Sequence, residues 1–192
     1  MEELLKLIVM GVSIGVSVFA TVSLAFAIIA RLHEQKQLYK SIQLLQLKSF
    51  KLHYIVFMVI TFALVLYLIG QTLDRASPEY RFFAKNLGFS RGEFIIVSIF
   101  VEVFLLVAST YFSVLAFAKS AVVDKGLYLG SGFVEWNEIY DYVVNEKSSR
   151  VIFTLSRESF STMRGTTPPY KVLPEDMSKL VFILNKNKNR FN

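Results

Sequence analysis

Three stretches with almost no ionisable side chains, Leu7 to Ala30, Tyr54 to Leu73 and Phe94 to Ala118, fill most of the first two thirds of the chain. Each runs to about 20 to 25 residues, and at a helical rise of ~1.5 Å per residue that matches a bilayer hydrocarbon core of ~30 Å. All three are expected to span, which predicts an α-helical membrane region over residues 1–118. A hydrophobic content of 54% places the chain in the same class. The first stretch is too long for a signal-peptide core, and Glu2 and Glu3 stand where such a peptide would be basic, so it is expected to be retained. The absence of cysteine excludes disulfides, thiolate metal sites and cysteine nucleophiles.

Orientation follows from Lys and Arg in the short loops. The first loop carries Arg31, Lys36, Lys40, Lys48 and Lys51 against Glu34, and the second carries Arg75, Arg81, Lys85 and Arg91. The bias is small, but the acidic N-terminus and Lys119 and Lys125 after the third span point the same way. The expectation is a multi-pass cell-membrane protein with its N-terminus outside and residues 119–192 in the cytoplasm.

In the first loop Leu38, Ile42 and Leu45 recur at helical spacing among Lys and Gln, which predicts an interfacial helical hairpin whose basic side chains face anionic headgroups. In the second, Ser77, Pro78 and Glu79 form a helix start, Tyr80, Phe83 and Leu87 one apolar face, and Gly88 a stop. Ser90 and Glu93 repeat a capping pattern just before the third span.

Within the spans the ionisable residue is Glu102, and a carboxylate in hydrocarbon is costly enough to need protein or water around it. At 100° per residue, Ser98, Glu102, Ser109, Ser113 and Ala116 fall within about 60° of one another on an otherwise apolar helix. The first span offers Gly11 and Gly15 at GxxxG spacing for close helix packing, and Ser13, Ser17 and Thr21 as a second small series. Counting residues from the outer ends puts Ser17 and Glu102 at one depth, so a hydrogen bond from Ser13, Ser17 or Thr21 to Glu102 is expected. That cluster reads either as glue for the bundle or a homo-oligomer, or as the centre of a transport path.

From Lys119 onward the chain changes character. Short extended runs, Gly turns, a Gly130-Ser131-Gly132 turn and a run near Phe160 to Met163 predict meander strands. Pro174, Glu175 and Asp176 then open a helix carrying Met177, Leu180, Val181 and Leu184 at i, i+3, i+4 and i+7. The expectation is a small α+β domain, autonomous from about Ala121 to Lys188, with Trp136 and Ile139 as its core anchor. Residues 119–192 hold 11 basic and 8 acidic residues, too dilute a charge for a nucleic-acid-binding face and consistent with proximity to an anionic membrane. Lys186, Lys188 and Arg190 form a basic tail.

The run Gly126-Leu127-Tyr128, then Trp136-Asn137-Glu138-Ile139, then strands and the Pro174-Glu175 helix, resembles the pleckstrin-homology-like domains that follow membrane helices in uncharacterised bacterial proteins. The resemblance implies an antiparallel sheet closed by one C-terminal helix, and it implies no particular activity. Taken together, these features lead us to expect a membrane-anchored interaction or regulatory module that meets the lipid bilayer and a protein partner or a second copy of itself. The alternatives are a small transport or channel subunit centred on Glu102, or a membrane enzyme. The sequence offers the enzyme reading no paired acids, no His beside a nucleophile and no metal-ligand cluster, so neither a catalytic residue nor a cofactor is expected.

Overall fold

The computed structural model describes residues 2–49, 51–74, 76–129, 132–156 and 165–187. The chain divides into two compact units, Met1–Ala30 with Leu52–Ala116, and Arg31–Lys51 with Phe117–Asn192.

The first unit contains most of helix α1 (Glu2–Lys40), together with α2 (Leu52–Leu73), α3 (Pro78–Leu87) and α4 (Arg91–Phe117). α1, α2 and α4 are each long and apolar enough to cross a membrane. Their outward faces carry large apolar side chains, Phe19 at 75% and Phe26 at 69% exposure among them, which in water would be a liability and in lipid is a match. Between the helices lie Val65, Phe94, Ala108 and Leu115 with Ser17 and Ser109. The Ser109 hydroxyl donates to the Met58 carbonyl at 3.3 Å, and Phe57 stacks on Phe112 with centroids 5.4 Å apart, so α4 packs on α2.

α3 begins and ends on the residues that signal it. The Ser77 side chain accepts from the Tyr80 N–H at 3.1 Å, Pro78 takes the first helical position, and Gly88 closes the helix at φ 64°, in the left-handed region that glycine enters without a Cβ penalty. At the start of α4, the Ser90 N–H donates to Glu93 at 2.7 Å and the Glu93 N–H returns a bond to the Ser90 hydroxyl at 3.3 Å.

The second unit is a curled antiparallel sheet of seven strands, counted among the described residues, closed by a C-terminal helix. Its strands are β1 (Gln43–Ser49), β2 (Ser120–Val123), β3 (Gly126–Leu129), β4 (Gly132–Glu135), β5 (Ile139–Asn145), β6 (Arg150–Leu155) and β7 (Tyr170–Lys171), in the order β4-β3-β2-β1-β7-β6-β5. Helix α5 (Met177–Asn187) follows a single 3₁₀ turn at Pro174–Asp176.

This corrects two expectations. Residues 43–49 are a strand where a helical hairpin was expected, and the domain therefore begins at Arg31 instead of residue 119. β1 pairs with β2 through Leu45↔Val122 and Leu47↔Ser120, and with β7 through Lys48↔Lys171 and Ser49↔Tyr170. It thereby joins the sheet's two halves. The physical cause is the alternation of Leu45 and Leu47, both buried, with exposed Gln46 and Lys48, a period of two that suits a sheet with one covered face.

Leu45 and Leu47 enter one core with Val122, Leu127, Val134, Trp136, Ile139, Phe153 and the inner face of α5, Leu180 and Leu184. Trp136 is 3% exposed, and its indole N–H donates to the Asp124 carbonyl at 2.9 Å. On the sheet's other face Leu38, fully buried, packs with Ala121, Val123 and Tyr128, which explains why α1 continues as helix to Lys40. The Gln35 side chain clasps the backbone of Lys119 in both directions, accepting from its N–H at 2.9 Å and donating to its carbonyl at 3.2 Å. Lys51 donates to the carbonyl of Ala118, and burial holds its ammonium below the ordinary lysine pKa. The expected turn at Gly130-Ser131 and run near Phe160 to Met163 lie outside the described residues, as do Lys188 and Arg190 of the basic tail.

Candidate functional site

Several polar side chains of the helical unit lie near the ends of α2 and α4 that flank α3. Glu102 accepts a hydrogen bond from the Thr72 hydroxyl at 2.7 Å. Thr72 is the penultimate residue of α2, so the carboxylate belongs to the layer where α2 ends. The expected bond from Ser13, Ser17 or Thr21 is thus replaced by one from α2. Glu102 stands eleven residues into α4, and its side chain leans toward the helix N-terminus, the direction in which Thr72 lies.

Around this layer, Arg91 donates to the Thr72 carbonyl, and its guanidinium lies 5.1 Å from the Tyr80 ring centroid and 5.6 Å from that of Phe94. Tyr67 donates its hydroxyl proton to Glu79. Lys6 of α1 forms an ion pair with Glu93 at 3.0 Å, tying the first helix to the start of α4.

A cavity of about 200 Å³ opens between α2, α3 and α4, with Thr72, the partner of Glu102, on its wall. Phe83, Phe89, Phe94, Leu68, Val97 and Val101 supply its apolar walls, and Gln71, Thr72, Glu79 and Ser98 its polar ones. Three polar atoms in this region are shielded from solvent and have no hydrogen-bond partner: Gln71 Oε1, Glu79 Oε2 and Arg91 Nη1. Such groups cost free energy when left unmade, and they mark where a ligand could supply the missing bonds.

The remaining members of the expected cluster are dispersed. Ser98 lines this cavity, Ser113 lines a second, more open recess against Met58 and Phe62, and Ser109 is bonded to Met58. Ser17 is buried, while Ser13 and Thr21 are half-buried on α1. Gly11 and Gly15 are exposed, and among the described residues a Cβ on either would meet nothing within 4 Å. Gln71, Glu79 and Arg91 were not singled out from the sequence as a group. The available signal was a Gln and a Glu at the ends of neighbouring helices, each beside a long apolar run.

The sheet unit has a shallow groove of its own, about 260 Å³, where Lys40 and Ser41 at the end of α1 face Lys125 and Tyr128. Burial raises the pKa of the Tyr128 hydroxyl above its ordinary value, with a hydrogen bond to Ser41 opposing. Among the described residues no cluster of His, Asp or Glu has the grouping of a metal site. Comparisons of the chain with models of protein families, with curated proteins and with solved structures give no match.

Proposed function

We propose that this chain is a three-span membrane protein whose sheet unit is a cytoplasmic, pleckstrin-homology-like domain serving as a membrane-anchored interaction or regulatory module. The observation that carries the proposal is the position of β1 between α1 and α2. The chain passes between the two units at 30/31, where the apolar run of α1 ends, at 51/52, just before α2, and at 116/117, where α4 ends. If the three helices span, the sheet unit therefore lies on one side, and the N-terminus and α3 on the other. The basic residues Arg31, Lys36, Lys40, Lys48, Lys51, Lys119 and Lys125 belong to the sheet side, which supports the cytoplasm for it.

The resemblance implies an antiparallel sheet with one C-terminal helix, and the antiparallel sheet followed by α5 supports that reading. An interaction role is supported by β5, which ends the strand order and carries Tyr140 and Val143 at 66% and 60% exposure. An exposed edge strand with outward apolar side chains is a template for pairing with a partner's strand. Lys40 and Lys48, both exposed, would meanwhile face anionic headgroups.

Because the chain lacks cysteine, single introduced cysteines report topology without background. Ala76→Cys should react with an impermeant maleimide on intact cells, and Ser148→Cys only after permeabilisation; the reverse pattern would overturn the orientation. A photo-crosslinking amino acid at Tyr140 should then give a discrete protein adduct in cell membranes. Lipid adducts alone would refute the interaction role of this edge.

A further inference from the structure

We propose that the cavity between α2, α3 and α4 binds the headgroup of an aminophospholipid such as phosphatidylethanolamine. Its ammonium would be held by Glu79 and Gln71, its phosphate by Arg91, and the upper part of an acyl chain by the apolar wall. The inference rests on the three helices spanning a bilayer.

The chemistry follows from what the protein leaves unmade. Glu79 and Gln71 each turn a solvent-shielded, unpartnered oxygen to this region, and both line the cavity. They ask for N–H or O–H donors, and the negative charge of Glu79 favours a cationic one. A primary ammonium brings three donors, enough for both oxygens with one left for the Thr72 or Ser98 hydroxyl on the same wall.

Arg91 is not itself a wall of the cavity, but it donates to the carbonyl of Thr72 and lies over the ring of Phe94, both of which are, and it presents the complementary demand. One guanidinium nitrogen already donates to the Thr72 carbonyl, while Nη1 is shielded and unpartnered. Among the described residues no ion pair joins Arg91 to Glu79 or to any other acid. A phosphate fits this donor, and stacking on Tyr80 and Phe94 holds the guanidinium in place for it. The site thus offers an acidic and a basic group, separate from each other, above apolar walls, which is the charge pattern of a zwitterionic lipid.

Its level suits a headgroup as well, since Thr72 is the second-last residue of α2 and Arg91 the first of α4. A choline headgroup carries no N–H donor and would leave Glu79 and Gln71 unmet. A glycerol headgroup carries donors but adds net negative charge beside Glu79.

The test is native mass spectrometry of the full chain in detergent, titrated in parallel with phosphatidylethanolamine, phosphatidylcholine and phosphatidylglycerol of identical acyl chains. Phosphatidylethanolamine should be retained at least about fivefold over the other two, the ratio that ~1 kcal/mol supplies. Glu79→Gln and Arg91→Gln should each remove that preference while leaving the monodisperse size unchanged. Equal retention of the three lipids by the natural sequence, or a preference for phosphatidylglycerol, would overturn the proposal, as would a preference that survives both substitutions. None of these results bears on which side the sheet unit occupies. Release of the chain from membranes by alkaline washing would remove the spanning reading and this one together.

Discussion

Leu47 of β1 lies directly opposite Ser120 of β2 in one antiparallel ladder, although all of α2, α3 and α4 come between them in the sequence. The next residue, Lys48, pairs with Lys171 of β7. A single seven-residue strand therefore holds the half-sheet of β2, β3 and β4 to that of β7, β6 and β5. The helices from residue 52 to 116 are an insertion between the first and second strands of a sheet domain.

The expectation that residues from Ala121 to Lys188 fold alone changes accordingly. A chain of residues 117–192 lacks Leu45 and Leu47, both nearly fully buried in the core, and lacks the strand that joins the halves. It should show red-shifted Trp136 emission and no cooperative unfolding. Residues 31–51 joined to 117–192 by a short Gly/Ser linker should give blue-shifted emission and one cooperative transition, since Lys51 already reaches the Ala118 carbonyl. Trp136 is the sole tryptophan, so the signal is unambiguous.

The pairing of Glu102 can be measured by a double-mutant cycle. Thr72→Val and Glu102→Leu should couple by ~0.6 kcal/mol, and by no more than about 2 kcal/mol, the range found for interhelical hydrogen bonds in membranes, because a Gln at 102 would still accept from Thr72. Ser17→Ala should show no coupling to Glu102→Leu. Coupling to Ser17 with none to Thr72 would restore the partner expected from sequence.

The legible and illegible parts of this chain differ in how local their causes are. The three long helices follow from uninterrupted apolar length, and α3 from the Ser77 cap and the Gly88 stop, all signals within a few residues. β1 is hidden in the sequence because Leu38, Ile42 and Leu45 share a helical spacing. Leu38 is indeed helical and covered by Tyr128, but Leu45 and Leu47 point into a core whose other strands arrive more than seventy residues later. Nothing local announces such a partner. The same holds for the cavity, whose walls come from α2, α3 and α4 together.

Gly126 is fixed by a close approach. A Cβ at this position would sit 2.1 Å from the Val134 carbonyl oxygen, so β3 and β4 pair at a distance only glycine permits. Gly126→Ala should destabilise the linked sheet domain by about 1 to 3 kcal/mol, the usual cost of forcing an extra methyl group into a packed site. Chemical denaturation followed through Trp136 reads this directly, and an unchanged midpoint would show that the two strands separate without cost.

The most direct test of the inserted architecture is a disulfide across the β1–β2 ladder in the full-length, cysteine-free chain in its native membrane. Gln46 and Ala121 are register partners, and antiparallel partners lie ~4.5 to 5.5 Å apart at Cα, inside the range that a disulfide bridges. Under mild oxidation, Gln46→Cys with Ala121→Cys should crosslink, as should the hairpin control Asp141→Cys with Thr154→Cys, whose pairing does not involve β1. Crosslinking of the control with none between positions 46 and 121 would contradict the account, because residues 43–49 would then lie outside the sheet.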